Sequence, residues 1–457
     1  MKLKITLLIG IFSFACSFAQ NSADAAKFLD SFFGKNYTQA QKFFADEVKG
    51  QISEQLLAMA QTQISAGKGT YQKSTFVSKE KIEDYERIIM KAQFENGFQN
   101  IMVAFNSENK IVGFFNAPNE TAAERPQHPK APFPYTEEEI SFSNSLEGNK
   151  LAGTLTTPQN FSINAPVVVM ISGSGAQKRD SELLGHKPFL VLSDHLARNG
   201  IASLRIDDRG TGQSEKGKEG ATTENFAIDI QSAVELLKLK GFTNIGLLGH
   251  SEGGLIAPMV ASKNKEVKFL VLLAAPGLSG KQLLLKQADD IGKVSGLSVK
   301  VLKDNAEINQ KIYSFVSNYK GKNLQKDVED LIRKNLKNVP ADQVEAVAAQ
   351  QSALVAMPWF AYFLKTDPAV YLTKIKIPVL ALNGSKDLQV SPKENLDAIR
   401  QSLTKAGNKN FEVAELPNLN HLFQNAETGS PSEYESIDET ISPIVLKKIS
   451  DWILSLK

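Results

Sequence analysis

From residue 136 onward the chain alternates between short apolar runs and longer stretches whose apolar residues recur every three or four positions. Strand-like runs lie at 138–143 and 150–157, and buried apolar ones at 167–172, 201–206, 244–249 and 269–274, with two more at 377–382 and 411–416. Between them, 188–198, 223–240, 255–262 and 393–406 have helical spacing. The final stretch, 443–456, sets Val445, Leu446, Ile449, Trp452, Ile453 and Leu456 on one helical face. Continuous apolar strands alternating with helices predict an α/β fold with a parallel sheet covered on both sides. From about 277 to 375 the alternation stops. Segments 283–291, 306–318, 326–336, 342–352 and 359–363 all read as helical, so this region is predicted to be a helical insertion.

The pattern before residue 117 is different. Phe28, Leu29, Phe32 and Phe33, then Ala40, Phe43 and Phe44, then Leu56, Leu57, Met59 and Ala60 recur at helical spacing. Strand-like runs follow at 71–78, 85–94, 98–105 and 110–115, and Asn96-Gly97 suits a tight hairpin turn. Three helices and an antiparallel sheet make residues 20–116 a small α+β domain. Pro118, Pro126, Pro129, Pro132 and Pro134 then mark 117–135 as an extended linker. A chain beginning near Thr136 is expected to retain the chemistry of the larger domain.

The extreme N-terminus changes the charge balance. Lys2 and Lys4 precede an uncharged run from Ile5 to Phe18, which ends in Ser17-Phe18-Ala19. This is the layout of a secretory signal peptide over residues 1–19, and it is short for a membrane span. Lipid attachment at Cys16 is the alternative, but Ser13-Phe14-Ala15 makes a poor lipobox. Cleavage after Ala19 would leave 50 basic against 50 acidic residues and remove the only cysteine. No basic block suggests a nucleic-acid partner. No H-E-x-x-H, C-x-x-C or paired-histidine spacing suggests a metal, and no cofactor is expected.

Gly249-His250-Ser251-Glu252-Gly253 is a G-x-S-x-G turn between the run 244–249 and the helical stretch 255–262. A serine on so sharp a strand-to-helix turn needs small neighbours and stands clear at the carboxyl end of the sheet. Acyl transfer from such a serine also needs a base, an acid to orient the base, and donors for the oxyanion. Each has a candidate beyond a strand end. Asp387 lies in the loop after 377–382, with Asp397 as an alternative acid. His421 lies after 411–416 and is the one histidine beyond the last strand. The Ser251 hydroxyl is expected within hydrogen-bond reach of His421, with Asp387 on the other ring nitrogen. The backbone N–H of Glu252 and the loop Ser172-Gly173-Ser174-Gly175-Ala176, with Ser174 foremost, are the candidate oxyanion donors. Gly173-Ser174-Gly175 is not a dinucleotide fingerprint, because Lys178 stands where the third glycine would be.

The order Ser, Asp, His on successive strand ends resembles the α/β-hydrolases. Residues 136–457 resemble one with a helical cap between the sixth and seventh strands. The whole mature chain is similar to EstD-type bacterial carboxylesterases, and the first domain to the NTF2-like or cystatin-like domains ahead of secreted hydrolases. The resemblance implies Ser251 as nucleophile, His421 as general base, Asp387 as its orienting acid and a small-molecule ester as substrate. Arg205–Ser214 is similar to a D-x-R-G-x-G-x-S turn of the superfamily. There the arginine, here Arg209, is mainly structural, with a substrate contact as the alternative. His250 is expected beneath the turn. Trp359, Phe360 and Phe363 are candidates for the acyl-pocket lining or for the cap's own core. A peptidase on the same fold and a non-catalytic envelope binding protein remain the competing functions.

Overall fold

The computed structural model describes residues 9–50, 52–65, 68–82, 85–117, 125–336 and 344–456. The start of the expected leader, part of the linker and residues 342–343 of one expected cap helix lie outside them. The chain divides into two compact units, Met1–Ala123 and Glu124–Lys457.

The first unit contains α1 (Ile9–Phe33), α2 (Tyr37–Gln41), α3 (Asp46–Lys49) and α4 (Glu54–Ser65), then β1 (Tyr71–Ile82), β2 (Tyr85–Phe94), β3 (Gly97–Phe105) and β4 (Ile111–Ala117). The strands form an antiparallel sheet in sequence order. Alternate residues of β2, from Ile88 through Met90 and Ala92 to Phe94, are buried with Phe28, Leu29 and Phe32 of α1 in one core. The expected cleavage point after Ala19 falls within the backbone run of α1.

The second unit opens with β5 (Tyr135–Ser143), β6 (Lys150–Pro158), β7 (Val167–Ile171), α5 (Pro188–Arg198), β8 (Ala202–Ile206), α6 (Thr223–Leu239), β9 (Ile245–His250), α7 (Glu252–Ala261) and β10 (Val267–Leu273). The inserted helices are α8 (Gly280–Val294), α9 (Val299–Asn318), α10 (Leu324–Asn335), α11 (Val344–Val355), α12 (Pro358–Lys365) and α13 (Ala369–Leu372). β11 (Val379–Gly384), α14 (Pro392–Lys405), β12 (Phe411–Leu416) and α15 (Pro443–Ser455) complete it. The eight-stranded sheet has the order β12-β11-β10-β9-β7-β8-β6-β5. It is parallel from β8 to β12, with β6 and β5 added antiparallel at one edge. This is the α/β-hydrolase architecture.

Both faces are covered, and β7 shows how. Val167, Val169 and Ile171 share one core with α6 and α7, while Val168 and Met170 share the other with α5 and α15. Each such side chain contributes about 1.5–3 kcal/mol on burial, which fixes the register of a central strand. One strand starts later than its apolar run predicts. Pro378 has no N–H to give the ladder, so β11 begins at Val379, whose amide donates to Asn410 O at 3.1 Å.

The linker also differs from its expected extended, unattached form. Arg125 donates to the carbonyls of Ile437, Leu184 and Glu435 at 3.1, 3.0 and 2.8 Å. Gln127 bonds to Ile441 and Thr440. Pro126 sits in a turn closed by His128 N to Arg125 O at 2.8 Å, and the polar side chains between the prolines bind the stretch to the second unit.

Candidate active site

The turn after β9 is as tight as its glycines require. Ser251 has φ 54° and ψ −120°, a conformation a non-glycine residue holds only when its surroundings enforce it. A β-carbon on Gly249 would lie 2.0 Å from Gly253 O, and one on Gly253 would lie 2.2 Å from Ile171 O. Neither position tolerates a side chain, which explains the spacing of the pentapeptide. The Ser251 amide is anchored to Leu273 O at 2.9 Å. Glu252 is the first residue of α7, so its N–H has no intrahelical partner and remains available to an anion.

The loops after β11 and β12 are joined. A β-carbon on Gly384 would lie 2.2 Å from Leu419 O. Lys386 N donates to Leu419 O at 2.9 Å, and Asn418 N donates to Ser385 Oγ at 2.8 Å. This seam brings Asp387 Oδ2 to 2.8 Å from His421 Nδ1. Oδ1 of Asp387 accepts from the amides of Gln389 and Val390 at 2.8 and 2.9 Å. Both Asp387 and His421 are buried. Asp397 lies on α14, pairs with Lys393 at 2.9 Å and does not meet the histidine.

Ser251 and His421 open on one cavity of about 350 Å³. Among the described residues, no hydrogen bond joins the Ser251 hydroxyl to His421, unlike the contact expected from sequence. Such pairs are often long or misaligned before substrate binds and tighten in the reacting complex. Gly173 touches the nucleophile, since a β-carbon there would sit 3.1 Å from Ser251 Cβ. Ser174 lines the same cavity beside it.

Three features were not legible beforehand. His250 Nε2 lies 2.9 Å from the carbonyl oxygen of His421, and the two rings are 4.8 Å apart. Burial, reinforced by the neighbouring His421, pushes the His250 pKa down to about 3, so its Nε2–H donates as a neutral imidazole. Asp208 accepts from Ser172 Oγ at 2.8 and 2.9 Å and from Gln177 N at 2.9 Å, holding the Gly173–Ala176 loop at its base. Burial raises its pKa to about 7 against those hydrogen bonds. The buried Glu252 carboxylate accepts from Thr223 Oγ1 at 2.7 Å and from Trp359 Nε1 at 2.9 and 3.0 Å.

Of the two roles expected for the cap aromatics, the pocket lining is overturned. Trp359, Phe360 and Phe363 do not line the cavity beside Ser251. Trp359 turns its indole N–H to Glu252 and stacks on Phe363 at 5.7 Å, while Phe360 and Phe363 are buried in hydrophobic cores. The apolar part of the lining includes Leu183, Phe189, Leu192, Leu422, Phe423 and Ile441 instead. Arg209 is committed to buried ion pairs with Asp229 at 2.7 Å and Glu147 at 3.1 Å, the structural role expected of that turn.

This fold and site define a serine hydrolase of the α/β-hydrolase superfamily. The Hydrolase_4 family profile, described as serine aminopeptidase S33, matches residues 188–427, more than half the chain, and the protein belongs to that family. Residues 25–114 match a domain of unknown function, DUF3887. Esterase EstD of Thermotoga maritima is 24% identical over 459 aligned residues, covering 99% of this chain and 100% of its own. Among solved structures, the Pyrococcus furiosus esterase Pf2001 aligns at 15% identity over 70% of this chain and 92% of its own, with TM-score 0.41. An esterase from Exiguobacterium antarcticum aligns at 18% identity over 69% and 99%, with TM-score 0.40.

Proposed function

We propose that the protein is a serine esterase that cleaves small carboxylic esters through an acyl-enzyme on Ser251. The supporting observation is the strained Ser251 opening on the same cavity as a histidine whose far nitrogen is paired to a buried carboxylate. Ser251 Oγ attacks the ester carbonyl carbon as its proton passes to His421 Nε2. Asp387 holds the imidazole in the required tautomer and stabilises the imidazolium. The oxyanion is met by the amide of Glu252 and by the Ser174 loop. Collapse breaks the bond to the alkoxide, which takes the proton from His421. Water then enters, gives a proton to His421 and attacks the acyl carbon; the proton returns to Ser251 as the acid departs.

The lining favours an ester over an aminoacyl substrate. Aliphatic and aromatic side chains share the lining with the neutral Gln177, Ser181 and Gln389, and Glu182, a lining carboxylate that could hold an ammonium, is exposed. The full-length similarity to an esterase points the same way. Turnover of a short-chain p-nitrophenyl ester should exceed that of an aminoacyl p-nitroanilide. A fluorophosphonate should label the wild-type protein and leave Ser251→Ala unlabelled. Preference for the anilide would make the protein an aminopeptidase, and an unlabelled wild type would leave a binding protein.

The N-terminal pattern further supports export with cleavage after Ala19. A secreted product beginning at Gln20 by mass would establish it, and a lipid-modified Cys16 would overturn it.

A further inference from the structure

Glu252 is placed unlike an ordinary first-turn acid. An acid at a helix start is stabilised by the dipole while staying in water, yet this carboxylate is 2% exposed. No lysine or arginine pairs with it among the described residues, so its burial is supported by neutral hydrogen-bond donors alone. Those donors come from two separate parts of the unit. Thr223 opens α6, and Trp359 belongs to the cap helix α12. The indole N–H can only donate, and it is shared between both carboxylate oxygens. The same residue presents its backbone N–H beside the nucleophile.

We propose that Glu252 is a positioning residue that couples the cap to the oxyanion site. Its carboxylate ties Trp359 of the cap and Thr223 of α6 to the residue whose amide faces the oxyanion, so seating of the cap sets the position of that amide beside Ser251. This rests on the esterase reading above. The cap then acts on the rate of acyl transfer through a hydrogen-bonded carboxylate, without lining the cavity at Ser251. Misplacing an oxyanion donor by a fraction of an ångström raises the barrier to acylation and leaves substrate binding nearly intact.

The test is a double-mutant cycle on the full chain with a short p-nitrophenyl ester. Trp359→Phe removes the N–H and keeps a ring to stack on Phe363; Thr223→Val removes the α6 hydroxyl and keeps a branched side chain of similar size. Each is expected to lower kcat roughly tenfold with KM within about twofold, and the double variant should lose little more than either alone. Glu252→Gln, which keeps an acceptor, should retain more activity than Glu252→Ala. Thermal unfolding of each variant separates these effects from loss of folded protein. Wild-type kcat in a folded Trp359→Phe, or losses that multiply in the double variant, would overturn the coupling. Ser251→Ala is run alongside. If it keeps turning over the ester, the esterase reading itself falls, and if it is inactive while the cycle shows no coupling, only the role of Glu252 falls.

Discussion

His250 Nε2 lies 2.9 Å from the carbonyl oxygen of His421, a residue 171 positions further along the chain. The histidine beside the nucleophile thus holds the backbone of the histidine proposed as base. Because burial keeps His250 neutral, it can make this bond throughout the working pH range. His250→Phe keeps a ring of similar size and removes the donor. It should lower kcat about tenfold through a misplaced His421, with KM within about twofold, in steady-state kinetics.

The same residue gives a pH signature in stability. Its folded pKa of about 3 lies below the ordinary histidine value near ~6.5, so below pH ~6.5 the unfolded chain binds a proton that the folded one refuses. Stability should therefore fall as pH drops from about 6.5 toward 3. Denaturant titrations of His250→Phe should show a shallower fall over that window; an unchanged slope would mean that the imidazole is solvated.

Asp208 acts with the opposite sign. Its pKa is raised from 3.8 to about 7, so between those values the folded protein holds the extra proton and stability declines as pH rises. Asp208→Asn removes the titration and keeps a hydrogen-bonding side chain under Ser172. Relative to wild type, its melting temperature should rise between pH 5 and pH 8. A constant difference across that range would contradict the assignment.

The two candidate acids separate cleanly. Asp387→Asn should lower kcat by roughly 10⁴-fold, because an amide no longer selects the imidazole tautomer that can accept the serine proton. Asp397→Asn should leave turnover near wild type, since its carboxylate pairs with Lys393 on an exposed helix face. Equal losses in the two variants would show that Asp387 is not the orienting acid.

Truncation tests the linker. Arg125 and Gln127 bond to the backbone of 435–441, and Ile441 lines the cavity. A chain beginning at Arg125 should fold and retain esterase turnover. One beginning at Thr136, the boundary suggested by the prolines, should melt lower and show a higher KM. Identical behaviour of the two would mean that these bonds contribute nothing to the site.

What the sequence determined is the part of the protein governed by local rules. The glycines flanking Ser251 report a steric demand between residues a few positions apart, so the turn is legible in five letters. Asp387 and His421 were legible because apolar runs mark strand ends, and strand ends share one edge of a parallel sheet. Helix α13 and the late start of β11 were missed: the first is a single turn, and in the second Pro378 interrupts an apolar run that otherwise reads as strand. The tertiary structure alone decided which distant polar groups meet. The indole of Trp359 reaches Glu252, the ring of His250 reaches the His421 carbonyl, and Arg125 reaches the carbonyls near the cavity. A hydrogen bond between residues 107 or 171 positions apart leaves no periodicity in the chain. Its partners are fixed only when the cap, the sheet and the loops have packed, because only burial makes an unmet donor or acceptor costly enough to select one pairing.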